Sequence, residues 1–317
     1  MGAESYAFAA DLGLIVAGLV LLVLGGEQLV RGAVALALRL GIAPVIVGLT
    51  VVAFGTSAPE MIVSVNAALR GSPGIALGNV VGSNIANVLV ILGLTALIAP
   101  IATQGRGFRS SWFYMVAASV LLIVLCLLGP LHFWHGVVLL AGMALVLSAQ
   151  IGQARRYGSD DAPEDGAGRI SGARIALLLA VGLVLLPLGA RLLVSGATDI
   201  ARGFGISEAV IGLTLVALGT SLPELAASVV AARRGQSGIA LGNVIGSNIF
   251  NILAIMGITS FFGPLHVPPE MMRFDLWLML ACAVVIAPFL FTGRRIGRVA
   301  GGALLAAYAI YVGYLLI

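Results

Sequence analysis

Residues 50–64 read TVVAFGTSAPEMIVS and place a proline and a glutamate inside an otherwise apolar stretch. A carboxyl group at bilayer depth is costly, and proline removes a backbone donor and leaves a carbonyl group without its helical partner. Free carbonyl groups at this depth are tolerated only where they are buried in protein or line a hydrated cavity. Pro59 and Glu60 therefore predict a broken membrane helix that carries a polar site.

The composition around this stretch is that of an integral membrane protein. The chain has 317 residues, of which 60% are hydrophobic and 9% charged, whereas about a quarter of the residues of a soluble domain are charged. With about 20 apolar residues per spanning helix, we expect an all-α protein with ten transmembrane helices. The predicted spans lie near residues 12–33, 44–68, 75–98, 112–130, 133–151, 174–196, 208–231, 238–262, 274–292 and 299–317.

The decisive stretch occurs twice. A shift of 164 positions aligns the 46 residues that begin at Gly48 with those that begin at Gly212, and 31 of the 46 are identical. A weaker similarity relates LGGEQLVRGA, from Leu24, to LGARLLVSGA, from Leu188. We therefore expect a first repeat of five spans over residues 1–151 and a second over 174–317. Residues 152–173, rich in glycine and charge, are expected to form a cytoplasmic linker.

Five spans per repeat have a topological consequence. The second repeat must enter the membrane from the opposite face, so the two copies are predicted to be inverted repeats with broken core helices. Such repeats are related by an axis in the membrane plane, and matching residues meet near the midplane. Glu60 and Glu224 are 164 positions apart and are therefore expected to meet there.

The polar residues near these acids share helix faces and are all oxygen donors. Residues four positions apart lie on one face of a helix. The pairs with this spacing are Thr56 with Glu60, Ser83 with Asn87, Thr220 with Glu224, and Ser247 with Asn251. Without cysteine or histidine, such a set favours a hard ion such as calcium or sodium. Two carboxylates match one calcium ion and approximately match two or three sodium ions, so the two cargoes can compete for one site.

The motifs GTSxPE and GNVxGSNIxN, each present twice, resemble those of the cation/calcium antiporter superfamily, specifically its sodium/calcium exchanger family. The resemblance implies a secondary active antiporter that exchanges sodium for calcium by alternating access, with both ions as substrates and no organic cofactor. It also implies that the first and sixth spans slide across the core.

The resemblance further implies the ligands. Calcium is held by Glu60 and Glu224 with the backbone carbonyls of Thr56 and Thr220. The implied sodium ligands are Ala53, Thr56, Ser57 and Ser83 in one repeat and Ala217, Thr220, Ser221 and Ser247 in the other. Asn87 and Asn251 complete the centre, although many family members have aspartate at the position of Asn251.

The sequence leaves three alternative functions open. A buried carboxyl group can also carry protons, so a proton/calcium antiporter of the same superfamily is the first alternative. A cation channel is a more distant one, because it needs no inverted repeats. A membrane-embedded hydrolase would use Glu60 as base or Ser57 as nucleophile, but neither motif contains a histidine or HExxH, and we expect no enzyme activity.

The remaining residues suggest orientation and structural roles. Thirteen of the 17 basic residues, all arginines, fall inside if the N-terminus is outside, which predicts a multi-pass cell-membrane protein with both termini outside. The net charge of +4 requires no nucleic acid, and we expect a monomer. Further expectations are a helical ion pair of Glu27 with Arg31, buried thiols at Cys126 and Cys282, interfacial Trp112, Trp134 and Trp277, and close helix contacts at Gly78, Gly82, Gly242 and Gly246.

Overall fold

A computed structural model describes residues 2–104, 107–157, 170–205 and 217–315 of the chain. Within these ranges the protein is helical, and strand-like pairing is limited to two isolated antiparallel bridges. A helix satisfies its backbone polar groups within one segment, which is why apolar spans adopt it in lipid. The expected all-α architecture is confirmed for the described residues.

The helices follow the apolar runs of the sequence. The first half contains α1 Gly2–Leu40, α2 Pro44–Thr56, α3 Ala58–Leu69, α4 Pro73–Ile98, α5 Phe108–Leu127 and α6 Phe133–Tyr157. The described part of the second half contains α7 Gly172–Gly203, α8 Ala217–Gly219, α9 Leu222–Arg233, α10 Ser237–Phe262, α11 Met271–Thr292 and α12 Arg298–Leu315.

Nine of the ten predicted spans have a counterpart among the described residues. Eight helices are long and apolar enough to cross a membrane, and α2 with α3, which meet at 45°, form a ninth, bent span. The remaining prediction, residues 208–231, begins within residues 206–216, which lie outside the described residues, and continues as α9. Helices α1 and α7 extend beyond the predicted 12–33 and 174–196: α1 continues through the largely apolar residues 34–40, and α7 continues through residues 197–203.

Helices α1 and α7 pack against each other along an antiparallel glycine seam. The glycines repeat every seven residues on each helix and match across the 164-residue shift: Gly18, Gly25 and Gly32 on α1, and Gly182, Gly189 and Gly196 on α7. A methyl group built on Gly189 would lie 2.8 Å from the carbonyl oxygen of Gly18. Without side chains the two backbones approach closely, so the pair forms one tightly packed unit.

Helices α4 and α10 lie at the centre of the fold. The most apolar window of α10 is entirely buried, and α4 is largely buried. Both helices widen into a π-helical segment, Asn87–Leu92 in α4 and Asn251–Ile255 in α10. Such segments often mark functional sites, and here each begins at an asparagine that the sequence motif had singled out.

The predicted close helix contact is confirmed at Gly242 and Gly246. A methyl group on Gly242 would lie 2.7 Å from the Val45 carbonyl oxygen, and one on Gly246 would lie 2.6 Å from that of Leu49. The described surroundings of Gly78 and Gly82 are looser, with only Met271 in contact range of Gly78. Residues 206–216 of the second repeat, whose counterparts in the first repeat include part of α2, lie outside the described residues.

Other structural expectations have mixed outcomes. Cys126 and Cys282 are buried free thiols, as predicted. Trp134 and Trp277 are exposed, but the prediction of an interfacial Trp112 was wrong, because its side chain is buried and its ring N–H donates to the Ala283 carbonyl at 2.8 Å. Proximity to the end of a span did not reveal that α11 covers this ring.

Candidate cation site

Two helix breaks position the motif acids of the two repeats. Ser57 separates α2 from α3, and Ser221 precedes α9 with nearly the same backbone angles. Proline occupies the first turn of α3 and of α9, where the absence of its N–H costs least. Glu60 and Glu224 follow in the same first turns, where the helix dipole favours negative charge.

The two repeats are joined by crossed hydrogen bonds at these acids. The Ser57 hydroxyl donates to Glu224 Oε1 at 3.0 Å, and the Ser221 hydroxyl donates to Glu60 Oε1 at 3.1 Å. Glu60 is 1% exposed and Glu224 0% exposed. Because each serine lies just before the acid of its own repeat, the crossed bonds bring the two carboxyl groups into one buried cluster, as the 164-residue shift predicted.

Each of these carboxyl groups keeps one oxygen without a hydrogen-bond partner among the described residues. These atoms are Glu60 Oε2 and Glu224 Oε2, and no ion pair with arginine is found for either group in the described part of the chain. An unpaired buried charge is strongly unfavourable. A cation between the carboxyl groups would satisfy both oxygens.

Two asparagines that sequence reasoning missed hold the acid-bearing backbone. Asn79 Nδ2 donates to the Glu60 carbonyl at 3.1 Å and to Ser64 Oγ at 2.9 Å. Asn243 Nδ2 donates to the Glu224 carbonyl at 3.2 Å and to Ser228 Oγ at 3.1 Å. A signal was present, since both asparagines are identical between the repeats and lie four residues before a predicted ligand serine, on the same helix face.

The threonines and alanines of the predicted site lie beside the breaks. The Thr56 hydroxyl donates to Asn243 Oδ1 at 3.2 Å and lies near the Glu224 carboxyl group. Thr220 lies near the Glu60 carboxyl group, in the mirrored arrangement. The Ala53 carbonyl accepts the Ser57 N–H at 3.0 Å, and Ala217 lies in α8.

The predicted serine and asparagine ligands of α4 and α10 are buried and largely without hydrogen-bond partners. Ser83, Asn87, Ser247 and Asn251 are all buried. Ser247 Oγ, Asn87 Oδ1 and both polar atoms of Asn251 have no partner among the described residues. The segment that begins at Asn87 packs against α9, and the segment that begins at Asn251 packs against α3. The segments that begin at the two asparagines therefore pack against the helices that carry the two acids.

Glu27 does not belong to this cluster. It pairs with Arg31 at 3.3 Å, as predicted, and also with Arg234, whose Nε lies 2.7 Å from Glu27 Oε2. Among the described residues, no group of three or more His, Cys, Asp or Glu side chains converges. The cluster thus combines two acids with neutral oxygen donors, a donor set that favours hard cations over transition metals.

The fold and the cluster define a class: a multi-pass helical membrane protein with two buried acids and neutral oxygen donors in its core. The chain matches the family model "Sodium/calcium exchanger protein" over residues 11–152 and 174–317. It belongs to this family of membrane transporters.

Similarity to known proteins extends over nearly the whole chain. The sodium/calcium exchanger MaX1 of Methanosarcina acetivorans is 35% identical, with 94% of this chain and 96% of that protein covered. The inner membrane protein YrbG of Escherichia coli K12 is 38% identical, with 86% of each chain covered. A structure of the sodium-calcium exchanger NCX_Mj soaked with Na⁺ and Sr²⁺ superposes with a TM-score of 0.83 at 32% identity, covering 96% of this chain and 99% of that one. The chain is therefore similar to cation/calcium antiporters in both sequence and fold.

Proposed function

We propose that this protein is a secondary active antiporter that exchanges sodium for calcium by alternating access. The observation that carries the proposal is the pair of buried carboxyl groups, Glu60 and Glu224, each bonded to a serine of the other repeat and each with one oxygen unpartnered among the described residues. One calcium ion matches their combined charge. The exchange follows if the site changes sides only when its charge is neutralised.

The proposed calcium ligands are the carboxylates of Glu60 and Glu224 and the backbone carbonyls of Thr56 and Thr220. Sodium ions would use oxygens at the remaining predicted positions. These are Ala53, Ser57, Ser83 and Asn87 in the first repeat and Ala217, Ser221, Ser247 and Asn251 in the second. Calcium accepts six to eight oxygens in a flexible cage, which suits this mixture of acids, amides and hydroxyls.

Sodium is the proposed coupling ion because the cluster has more oxygens than proton transport needs. Protons would occupy only the two carboxyl groups. Ser247 Oγ and Asn87 Oδ1 are buried neutral oxygens without described partners, and leaving them unpaired has a free-energy cost. A metal cation with a coordination shell would satisfy them, whereas a proton on a glutamate would not.

Alternating access is proposed to use the inverted repeats. The bond from Ser57 to Glu224 and the bond from Ser221 to Glu60 are the same contact under the 164-residue shift. Inverted copies around a midplane site would produce such a pair. Helices α1 and α7, joined by their glycine seam, would slide across the core as one unit. The seam supports this because its glycines let the two helices pack closely along their length.

We further propose a plasma-membrane location with both termini outside, in agreement with the arginine distribution of the sequence. The name of the similar E. coli protein places that relative in the inner membrane. The proposed functional unit is a monomer, because both halves of the cage come from one chain.

The decisive experiment is calcium uptake into proteoliposomes under one imposed gradient at a time. Purified protein is reconstituted, and calcium uptake is followed with outward-directed sodium, with an outward proton gradient at equal sodium, and with neither. We expect uptake with sodium alone. Uptake that follows only the proton gradient would show that protons and not sodium are the coupling ion. Calcium flux without any counter-ion would identify a channel instead.

A further inference from the structure

The side chain of Asn87 is a neutral amide, and its two ends are chemically different. A carboxylate offers an oxygen in either orientation, but an amide offers an oxygen on one side and an N–H₂ group on the other. An asparagine binds a cation through its oxygen, and a hydrogen-bond acceptor on its N–H₂ side can fix that orientation in advance. The sequence has asparagine at both central positions, 87 and 251, so the partners of the two amides decide whether either is oriented in advance.

The partner of Asn87 is Asn248 of the opposite repeat. Asn87 Nδ2 donates to Asn248 Oδ1 at 2.9 Å. Asn248 is 2% exposed and belongs to the GSN part of the α10 motif, three residues before Asn251. This bond occupies the N–H₂ side of Asn87 and leaves its Oδ1 without a partner among the described residues.

The orientation of Asn248 is itself set by two acceptors. Its Nδ2 lies 3.4 Å from the Asn84 carbonyl oxygen and 3.5 Å from the Met115 sulfur. Neither group can donate a hydrogen bond, so the amide nitrogen of Asn248 must face them and its oxygen must face Asn87. A backbone carbonyl and a thioether thus determine which atom of Asn87 points away from Asn248.

The mirrored residues lack this arrangement. Asn84 corresponds to Asn248, and Met279 to Met115, by the same shift of 164 positions. Asn84 Nδ2 lies 3.7 Å from the Met279 sulfur, but Asn84 Oδ1 and both polar atoms of Asn251 have no partner among the described residues. Asn251 is therefore not oriented as Asn87 is.

We propose that Asn248 is a positioning residue that turns the Asn87 oxygen toward the transported cation, so that the amide of Asn87 is held in its ligand orientation before the ion arrives, whereas the amide of Asn251 is not. The inference rests on the proposed function, because it requires a cation between the repeats. Residues that orient a ligand typically change metal affinity by about 10- to 100-fold when mutated.

The test compares Asn248→Leu with Asn84→Leu, a matched control of the same residue type, burial and motif position. Calcium uptake is measured in proteoliposomes, and calcium binding is titrated on the purified protein. We expect Asn248→Leu to raise the KM for calcium by about tenfold, with little change in kcat, and Asn84→Leu to raise it less than about threefold. Equal increases in both variants would indicate general damage to the core and overturn the proposal.

A double-mutant cycle separates positioning from a structural role. In an Asn87→Ala background the amide to be oriented is gone, so we expect Asn248→Leu to add no further loss of affinity. Fully additive losses would overturn the proposal. If the leucine variant is not recovered from membranes, Asn248→Ser is used in the same cycle, since its side chain is too short to provide the same acceptor.

Measurements on the wild-type protein distinguish a failure of this inference from a failure of the proposed function. Wild-type protein that takes up calcium only with a proton gradient would contradict sodium coupling, yet its KM for calcium would still test Asn248. Wild-type protein that neither binds nor moves calcium would overturn both.

Discussion

The Ser57 hydroxyl donates a hydrogen bond of 3.0 Å to the carboxyl group of Glu224, a residue of the other repeat. The reciprocal bond, from Ser221 to Glu60, measures 3.1 Å. Neither acid is therefore held by its own repeat alone. The two halves of the chain must dock against each other before the two carboxyl groups form one cluster, which links folding of the core directly to formation of the proposed site.

Glu60→Gln and Glu224→Gln are each expected to abolish sodium-driven calcium uptake. Either change removes one of the two charges that balance calcium, so the loss should exceed the roughly 10- to 100-fold typical of residues outside the ligand shell. Proteoliposome uptake is the measurement. Glu27→Gln is the matched control, because Glu27 pairs with Arg31 and Arg234 outside the cluster. Robust exchange by Glu60→Gln would remove that residue from the central role.

Ser57→Ala and Ser221→Ala should weaken calcium binding to a similar extent. Each removes one hydrogen bond to a buried carboxyl group, worth about 1.5–3 kcal/mol, so we expect the KM for calcium to rise about tenfold or more. Ser119→Ala is the control, since the buried Ser119 hydroxyl donates to the Met115 carbonyl of its own helix, away from the two acids. Strongly unequal effects of the two site variants would contradict the symmetric role given to the crossed bonds.

Asn243→Leu should reduce both stability and transport. Asn243 bonds to the Glu224 carbonyl, to Ser228 and to Thr56, and its loss would leave buried polar groups unpaired at about 1–3 kcal/mol each. Thermal unfolding in detergent and calcium uptake are measured together. The control is Asn66→Leu, on the exposed face of α3. A variant as stable and active as wild type would show that this network does not hold the break.

Gly189→Ala and Gly13→Ala should change stability in opposite directions. A methyl group on Gly189 would lie 2.8 Å from the Gly18 carbonyl oxygen and 2.9 Å from the Leu22 nitrogen, whereas one on Gly13 has no atom of the described residues within 4 Å. Overpacking costs about 1–3 kcal/mol, while alanine in an open helix position gains up to about 1 kcal/mol over glycine. The measurement is the thermal unfolding of both variants beside the wild type. A Gly189→Ala protein as stable as wild type would contradict the tight seam.

Much of the site was predictable because the repeat marks it. Identical residues 164 positions apart identified Glu60 and Glu224 as a pair, and the four-residue spacing placed Ser83 with Asn87 on one face of α4. Asn79 and Asn243 carried the same signal but were missed, because a helix face identifies neighbours without telling which side chains hold the backbone and which are free for a ligand.

The amino-acid sequence by itself determined that the chain crosses the membrane, that it consists of two related copies, and that each copy brings one acid beside a proline break. These properties are local or can be counted along the chain. Only the tertiary structure decided that each acid is bonded by a serine of the other copy, that Asn87 is oriented while Asn251 is not, and that α1 and α7 interlock along glycines. Those facts depend on the packing register of segments more than 150 residues apart, and a shift of about 1.5 Å, one residue of helix rise, would change every one of these contacts without altering the pattern of the sequence.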